Sequence, residues 1–198
     1  MNHSQTFTPG AAQDSAPFRY SRTLVSLHWL MFLLFVAVYA TIELRVLFPK
    51  GTDTRELMKT LHFTLGLAVM LMVVLRLGAR WFSAKPVPDM TTTLQAWTHR
   101  LASAGHLALY ALMIGMPLLG WLYLSAAGKP IPFFGLELPA LMSPDKAFSK
   151  DIKELHEAIG TAGYWLIGMH VTAALGHHYL LKDRLLERMS LTRVAPKN

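Results

Sequence analysis

Six histidines stand within or at the ends of long apolar stretches: His28, His62, His106, His156, His170 and His177, with His178 next to the last. Ionisable groups in apolar spans mark function by default, although any one of them alone is as well explained by a hydrogen bond between helices. The spacing changes that balance. His156 and His170 are fourteen positions apart. On an α-helix that is about 21 Å of rise and roughly 40° short of four full turns, so both rings face one way at two depths. Two cofactors stacked along a helix need that arrangement. Neutral imidazoles on opposite faces of a haem iron form a six-coordinate electron-transfer site, and axial ligation is one of the protein's means of setting the potential.

Such rings must be held by elements that cross a bilayer core, which takes about 20 apolar residues in a helix. Four stretches qualify, at about Thr23–Ile42, Leu57–Leu77, Leu101–Leu124 and His156–Leu181. Connectors dense in Pro and Gly separate them: Phe48-Pro49-Lys50-Gly51, Lys85-Pro86-Val87-Pro88-Asp89, and a longer one from Gly128 to about Lys150. The last holds Phe133, Phe134 and Gly135 and leaves room for a short amphipathic piece at Asp145–Lys150. The expected fold is an all-α, integral membrane four-helix bundle over residues 19–190. A disordered tail at 1–18, in which His3 needs no role, precedes it, and a C-terminal tail at 191–198 follows.

In a bundle that runs up and down, His28 at the start of the first helix and His170 deep in the fourth lie towards one membrane face. His62 and His156, at the starts of the second and fourth, lie towards the other. Depth therefore pairs His28 with His170 and His62 with His156. His106, early in the third helix, shares the depth of His28 and competes with it; it could instead bind a haem propionate or line a quinone site. His177 is seven positions beyond His170, about 10 Å nearer the surface on nearly the same face, where a quinone headgroup or a propionate would suit it. Arg100, His99 and Lys85 belong to the same side. Gly66, Gly160, Gly163, Gly168 and Ala174 leave space for a flat macrocycle or, equally, let helices pack closely.

Composition agrees with lipid as the solvent. Apolar residues make up 53% and charged residues 16%, where soluble domains carry about a quarter charged. The absence of cysteine excludes disulfides, thiolate metal sites, iron–sulfur clusters and covalent haem attachment through C-x-x-C-H. His156-Glu157 lacks the second histidine of a zinc-binding H-E-x-x-H helix, and there is no Gly-rich phosphate loop. The polar stretch Met1–Pro17 does not read as a signal peptide. The net charge of +7 fits loops that face the cytoplasm better than nucleic-acid binding, because no basic stripe with interleaved aromatics exists. Of the 19 Lys and Arg, eleven fall on the side of the two termini and the second connector and eight on the other, which places both termini in the cytoplasm. Trp29, Trp81, Trp97, Trp121 and Tyr123 fall near the interfaces, as an aromatic belt would.

The run of motifs resembles the bacterial cytochrome b561 family from about Tyr20 to Met189. Ser26-Leu27-His28-Trp29-Leu30, Leu61-His62-Phe63-Thr64-Leu65-Gly66, Gly105-His106-Leu107-Ala108-Leu109-Tyr110, Leu155-His156-Glu157 and Gly168-Met169-His170 occur in order, followed by Gly176-His177-His178-Tyr179 and Lys182-Asp183. The resemblance implies four transmembrane helices in the bacterial inner membrane, two haems b and exchange of electrons with ubiquinone. It also implies His28, His62, His156 and His170 as the iron ligands, and so favours His28 over His106. In members of that family the assigned activity is oxidation of superoxide at the outer face with reduction of ubiquinone. Other members look like carriers for periplasmic partners.

The leading expectation is therefore a dihaem membrane oxidoreductase. The rival is a carrier that takes electrons from quinol to a periplasmic protein docked on the third connector at Phe133 and Phe134. A transporter or scaffold that uses its histidines for proton transfer is the third reading. A positive outer field would favour an anionic donor such as superoxide. Here the outer loops sum to zero, although Lys129, Lys146, Lys150 and Lys153 share one connector with Glu137, Asp145, Asp151 and Glu154.

Overall fold

A computed structural model describes residues 20–83, 93–182 and 185–191. Four long helices dominate: α1 (Arg22–Leu44), α2 (Asp53–Trp81), α3 (Thr93–Ala126) and α4 (Lys146–Tyr179). All four are long and apolar enough to cross a membrane. Their outward faces carry large apolar side chains with no protein partner to cover them, among them Trp165, Leu107 and Val74. In water such a surface would aggregate; in a bilayer it is the solvent-matched face. The expected tail at 1–18, most of the 191–198 tail, and the Lys85–Asp89 connector lie outside the described residues.

Local chemistry sets the helix ends. The Ser21 hydroxyl accepts from the Leu24 backbone N–H (3.3 Å), and the Asp145 carboxylate accepts from that of Phe148 (3.0 Å), so α1 and α4 begin with capped N-termini. A 3₁₀ turn, Arg45–Leu47, closes α1. The Arg55 guanidinium donates to the carbonyls of Arg45 (3.1 Å) and Phe48 (2.7 Å), satisfying groups the helix end leaves open. Gly51 then takes a φ of +86°, the left-handed region, and turns the chain into α2. Pro117 lies inside α3, where its missing N–H removes one rung of the helix ladder.

Two differences from expectation concern the third connector. The fourth helix begins at Lys146, ten positions before His156, so the amphipathic piece at Asp145–Lys150 is the first turn of α4 itself. The rest is a folded plug: β1 (Pro132–Phe133) pairs antiparallel with β2 (Leu136–Glu137), and Ile131, 2% exposed, packs with Leu67 of α2 and Leu124 of α3. Thr64 donates to the Pro132 carbonyl (3.2 Å), Trp121 Nε1 to that of Pro139 (2.9 Å), and the Leu141 N–H to the Ser125 hydroxyl (3.0 Å). At the other end, a short α5 (Leu185–Arg188) leads to Met189, whose carbonyl accepts from Trp29 Nε1 (3.0 Å).

Packing follows chain order: α1 on α2, α2 on α3, α3 on α4. The main core, Met31, Val69, Val73 and Met113, draws on α1, α2 and α3. Among the described residues, no Cα of α4 comes within 8 Å of a Cα of α1 or α2. A gap therefore runs between α4 and those two helices, and side chains alone reach across it.

Candidate functional site

Histidine rings reach into this gap at two depths. His28 of α1 and His170 of α4 have ring centroids 6.3 Å apart at an interplanar angle of 60°. His62 of α2 and His156 of α4 have centroids 6.2 Å apart at 78°. All four are half-buried. The two sets are separated along α4 by the fourteen-residue interval, about 21 Å. His106 of α3 is exposed, and its centroid stands 5.6 Å from that of His170. One end of the gap thus holds three rings and the other two.

The spacing can be compared with that of two imidazoles sharing one metal ion. A metal–imidazole nitrogen bond is about 2 Å, and the nitrogen lies about 1.1 Å from its ring centre, so coaxial ligands have centres about 6.2 Å apart. The His62–His156 and His28–His170 pairs have that separation, while His106 is too close to His170. Among the described residues no three His, Cys, Asp or Glu side chains converge as a chelating set. Opposed rings across a gap are therefore the form that iron ligation would take here.

The surroundings fit a porphyrin as well. A Cβ added at Gly66 or Gly168 would meet nothing within 4 Å, so both positions face open space. Gly160 and Gly163 do otherwise. Added methyls there would press on Met116 and Leu112 and collide with the Tyr39 hydroxyl, so these glycines admit neighbouring side chains rather than a macrocycle. Gly120 leaves room for the edge of the His156 ring, whose Cε1 would be 3.4 Å from a Cβ. Among the described residues, two arginines carry buried guanidinium N–H groups without a partner, Arg76 at Nη1 and Arg45 at Nε. Arg76 lies near enough to His28, His106 and His170 for its charge to act on all three, and Arg45 does the same for His62. A buried unpaired cationic donor is costly, and a carboxylate is its strongest complement. A haem b carries two.

Second contacts orient the rings. His62 Nδ1 lies 3.0 Å from the Val38 carbonyl. A carbonyl can only accept, so Nδ1 carries the proton and Nε2 keeps its lone pair, as metal-ligating histidines require. His156 Nδ1 is buried.

A profile of prokaryotic cytochrome b561 matches residues 19–190. The chain belongs to that family. It is 38% identical to cytochrome b561 homolog 1 of Escherichia coli K12 over 172 residues, which is 86% of this chain and 96% of that one. It is 32% identical to a Yersinia pestis protein described as a probable superoxide oxidase CybB, over 86% and 95% of the two chains. It is 30% identical to cytochrome b561 homolog 2 of E. coli K12, over 88% and 93%. This b561-family chain is thus a bacterial membrane protein of electron transfer, and haem b is the cofactor its family implies.

Several sequence expectations change place. Arg76 and Arg80, counted among the eleven cations on the side of the second connector, stand within α2, and Arg100 stands within α3. Arg100 stacks over Trp97 (5.5 Å). His177 occupies the last turn of α4, beside His178, whose Nδ1 is buried and has no partner among the described residues. The hollow at that end is shallow and apolar, lined by Trp29, Leu186, Met189, Ser190 and Leu191. At the opposite end, Lys150–Glu154 (3.8 Å) and Lys153–Glu157 (2.8 Å) form ion pairs along α4, and Lys129 lies over Tyr123. The two orphaned arginines are the functional candidates that sequence reading missed. Their signal was Arg76 inside the apolar run Leu75-Arg76-Leu77.

Proposed function

We propose that this chain holds two haems b, one between His28 and His170 and one between His62 and His156, and transfers electrons across the bacterial inner membrane between superoxide at the outer face and ubiquinone. The observation that carries this reading is the pair of ring separations, 6.3 and 6.2 Å, at two depths along α4. Haem b supplies a one-electron iron couple. The four histidines hold the iron, and Arg76 and Arg45 anchor propionates by charge-assisted hydrogen bonds. The flanking helices keep water from the rings. With both termini cytoplasmic, the His62 end faces outwards. Two superoxide ions would each lose one electron to become dioxygen, and one ubiquinone would gain two electrons and two protons. His177 and the hollow beside Trp29 lie at the end suited to the quinone. The probable superoxide oxidase among the relatives supports this donor.

The test is a reduced-minus-oxidised spectrum of detergent-purified protein with haem counted per chain, followed by mixing with superoxide and with a ubiquinone analogue. Two low-spin b haems, reduction by superoxide and reoxidation by the quinone are expected; fewer than two haems, or no reoxidation, refutes the reading. A second reading, an electron carrier from quinol to a periplasmic protein, is favoured by Phe134 and Leu136. These tip residues of the hairpin are 67% and 68% exposed. Copurification of a periplasmic redox protein, with no reduction by superoxide, would select it.

A further inference from the structure

α1 gives no ring to the His62–His156 pair, yet two consecutive residues of α1 touch both sides of it. The Val38 carbonyl accepts from His62 Nδ1 at 3.0 Å. The next residue, Tyr39, donates from its hydroxyl to the Gly160 carbonyl at 2.9 Å, one helical turn beyond His156 on α4. The sequence keeps the space for this contact, because a Cβ at Gly163 would collide with that hydroxyl. Behind it, the Tyr39 ring lies 4.3 Å from that of Tyr164, and the Tyr164 hydroxyl donates to Glu43 Oε1 at 2.7 Å. The backbones of α1 and α4 stay apart, so these tyrosines are the span.

We propose that Val38 and Tyr39 form a positioning clamp for the second ring pair: the carbonyl fixes the tautomer and plane of His62, and the hydroxyl fixes the height and rotation of the α4 turn that carries His156. One helix thereby sets the relative orientation of two rings borne by two others. The clamp rests on the reading of His62 and His156 as ligands of one iron. It makes Tyr39 a positioning residue, acting through α4 and touching neither iron nor substrate.

The test uses the full-length, haem-loaded protein and the variants Tyr39→Phe, Gly163→Ala and Tyr164→Phe. Low-temperature electron paramagnetic resonance of the oxidised protein reads the angle between the two ring planes, and a potentiometric titration reads each haem's midpoint. His62→Ala assigns the signals, since it removes the one that belongs to this pair. Tyr39→Phe deletes one oxygen atom. It is expected to keep the haem count while displacing the g-values of the assigned signal and changing its reduced-to-oxidised ratio at fixed poise several-fold, up to about tenfold or ~59 mV for a one-electron couple. The other haem stays unchanged. Gly163→Ala displaces the same hydroxyl from the opposite side and moves the same signal. Tyr164→Phe keeps the Tyr39–Gly160 bond and is expected to move that signal less than Tyr39→Phe does. Unchanged spectra and potentials in Tyr39→Phe, or a shift confined to the signal that survives in His62→Ala, overturn the clamp. Survival of both signals in His62→Ala overturns the ligand assignment itself, and the clamp with it.

Discussion

Three rings at one end of the gap, where an iron takes two, give the sharpest test of the assignment. The ring spacing expected of two imidazoles on one ion is about 6.2 Å, from metal–nitrogen bonds of about 2 Å. His28 stands at 6.3 Å from His170 and needs no movement, whereas His106 at 5.6 Å would have to retreat by about 0.6 Å. His106 is also the exposed ring of the three. Replacing His28 by Ala should therefore remove one axial ligand and take the haem content from two per chain to one, halving the α-band amplitude. Replacing His106 by Ala should leave both. The assay is a haem count against protein mass, with the reduced-minus-oxidised spectrum as its internal check. If His106→Ala halves the content and His28→Ala preserves it, the spacing argument fails and α3 supplies the ligand.

Further outcomes follow from other residues. Arg76→Gln removes a positive charge beside the His28–His170 pair; a nearby cation disfavours the more positive oxidised iron, so one midpoint should fall, by up to about 59 mV or tenfold in the redox ratio, as read by redox titration. Gly120→Val places bulk against the His156 ring, 3.4 Å from the position of a first added carbon, and overpacking of about 1–3 kcal/mol should appear as loss of one haem or a lowered melting temperature. Ile131→Ala opens a cavity under the β-hairpin and should destabilise the detergent-solubilised protein by about 2–5 kcal/mol, measured by thermal unfolding. Gly51→Ala, at φ +86°, should cost about 1–2 kcal/mol in the same assay with the haem content unchanged.

Much of the fold was legible because lipid imposes a simple rule: each crossing needs one long apolar helix. That rule located α1 to α3 but failed at the start of α4. There Lys146, Lys150, Asp151, Lys153 and Glu154 read as water-facing, while Asp145 caps a helix that already buries Ser149 and Ile152. Charge told of solvent and said nothing of secondary structure. The hairpin escaped for the opposite reason, since Pro130, Pro132 and Gly135 argue against helix but do not announce two residue pairs of sheet. At the site, periodicity along one helix was enough to foresee the two depths, because His156 and His170 share α4. The contacts between helices were not readable. No pattern in the sequence shows that the Val38 carbonyl meets His62, that Gly163 is small for Tyr39, or that Arg76 lies near enough for its charge to act on three rings.

The separation of α4 from α1 and α2 bears on how the protein is made. α1, α2 and α3 share a dry core and can settle against one another as they leave the insertion machinery, whereas α4 packs its backbone on α3 and reaches α1 through side chains only. The seam that remains is lined by His28, His62, His156 and His170. If the paired histidines hold haem, iron–nitrogen bonds would join α4 to α1 and α2 across that seam, and cofactor loading would complete the assembly.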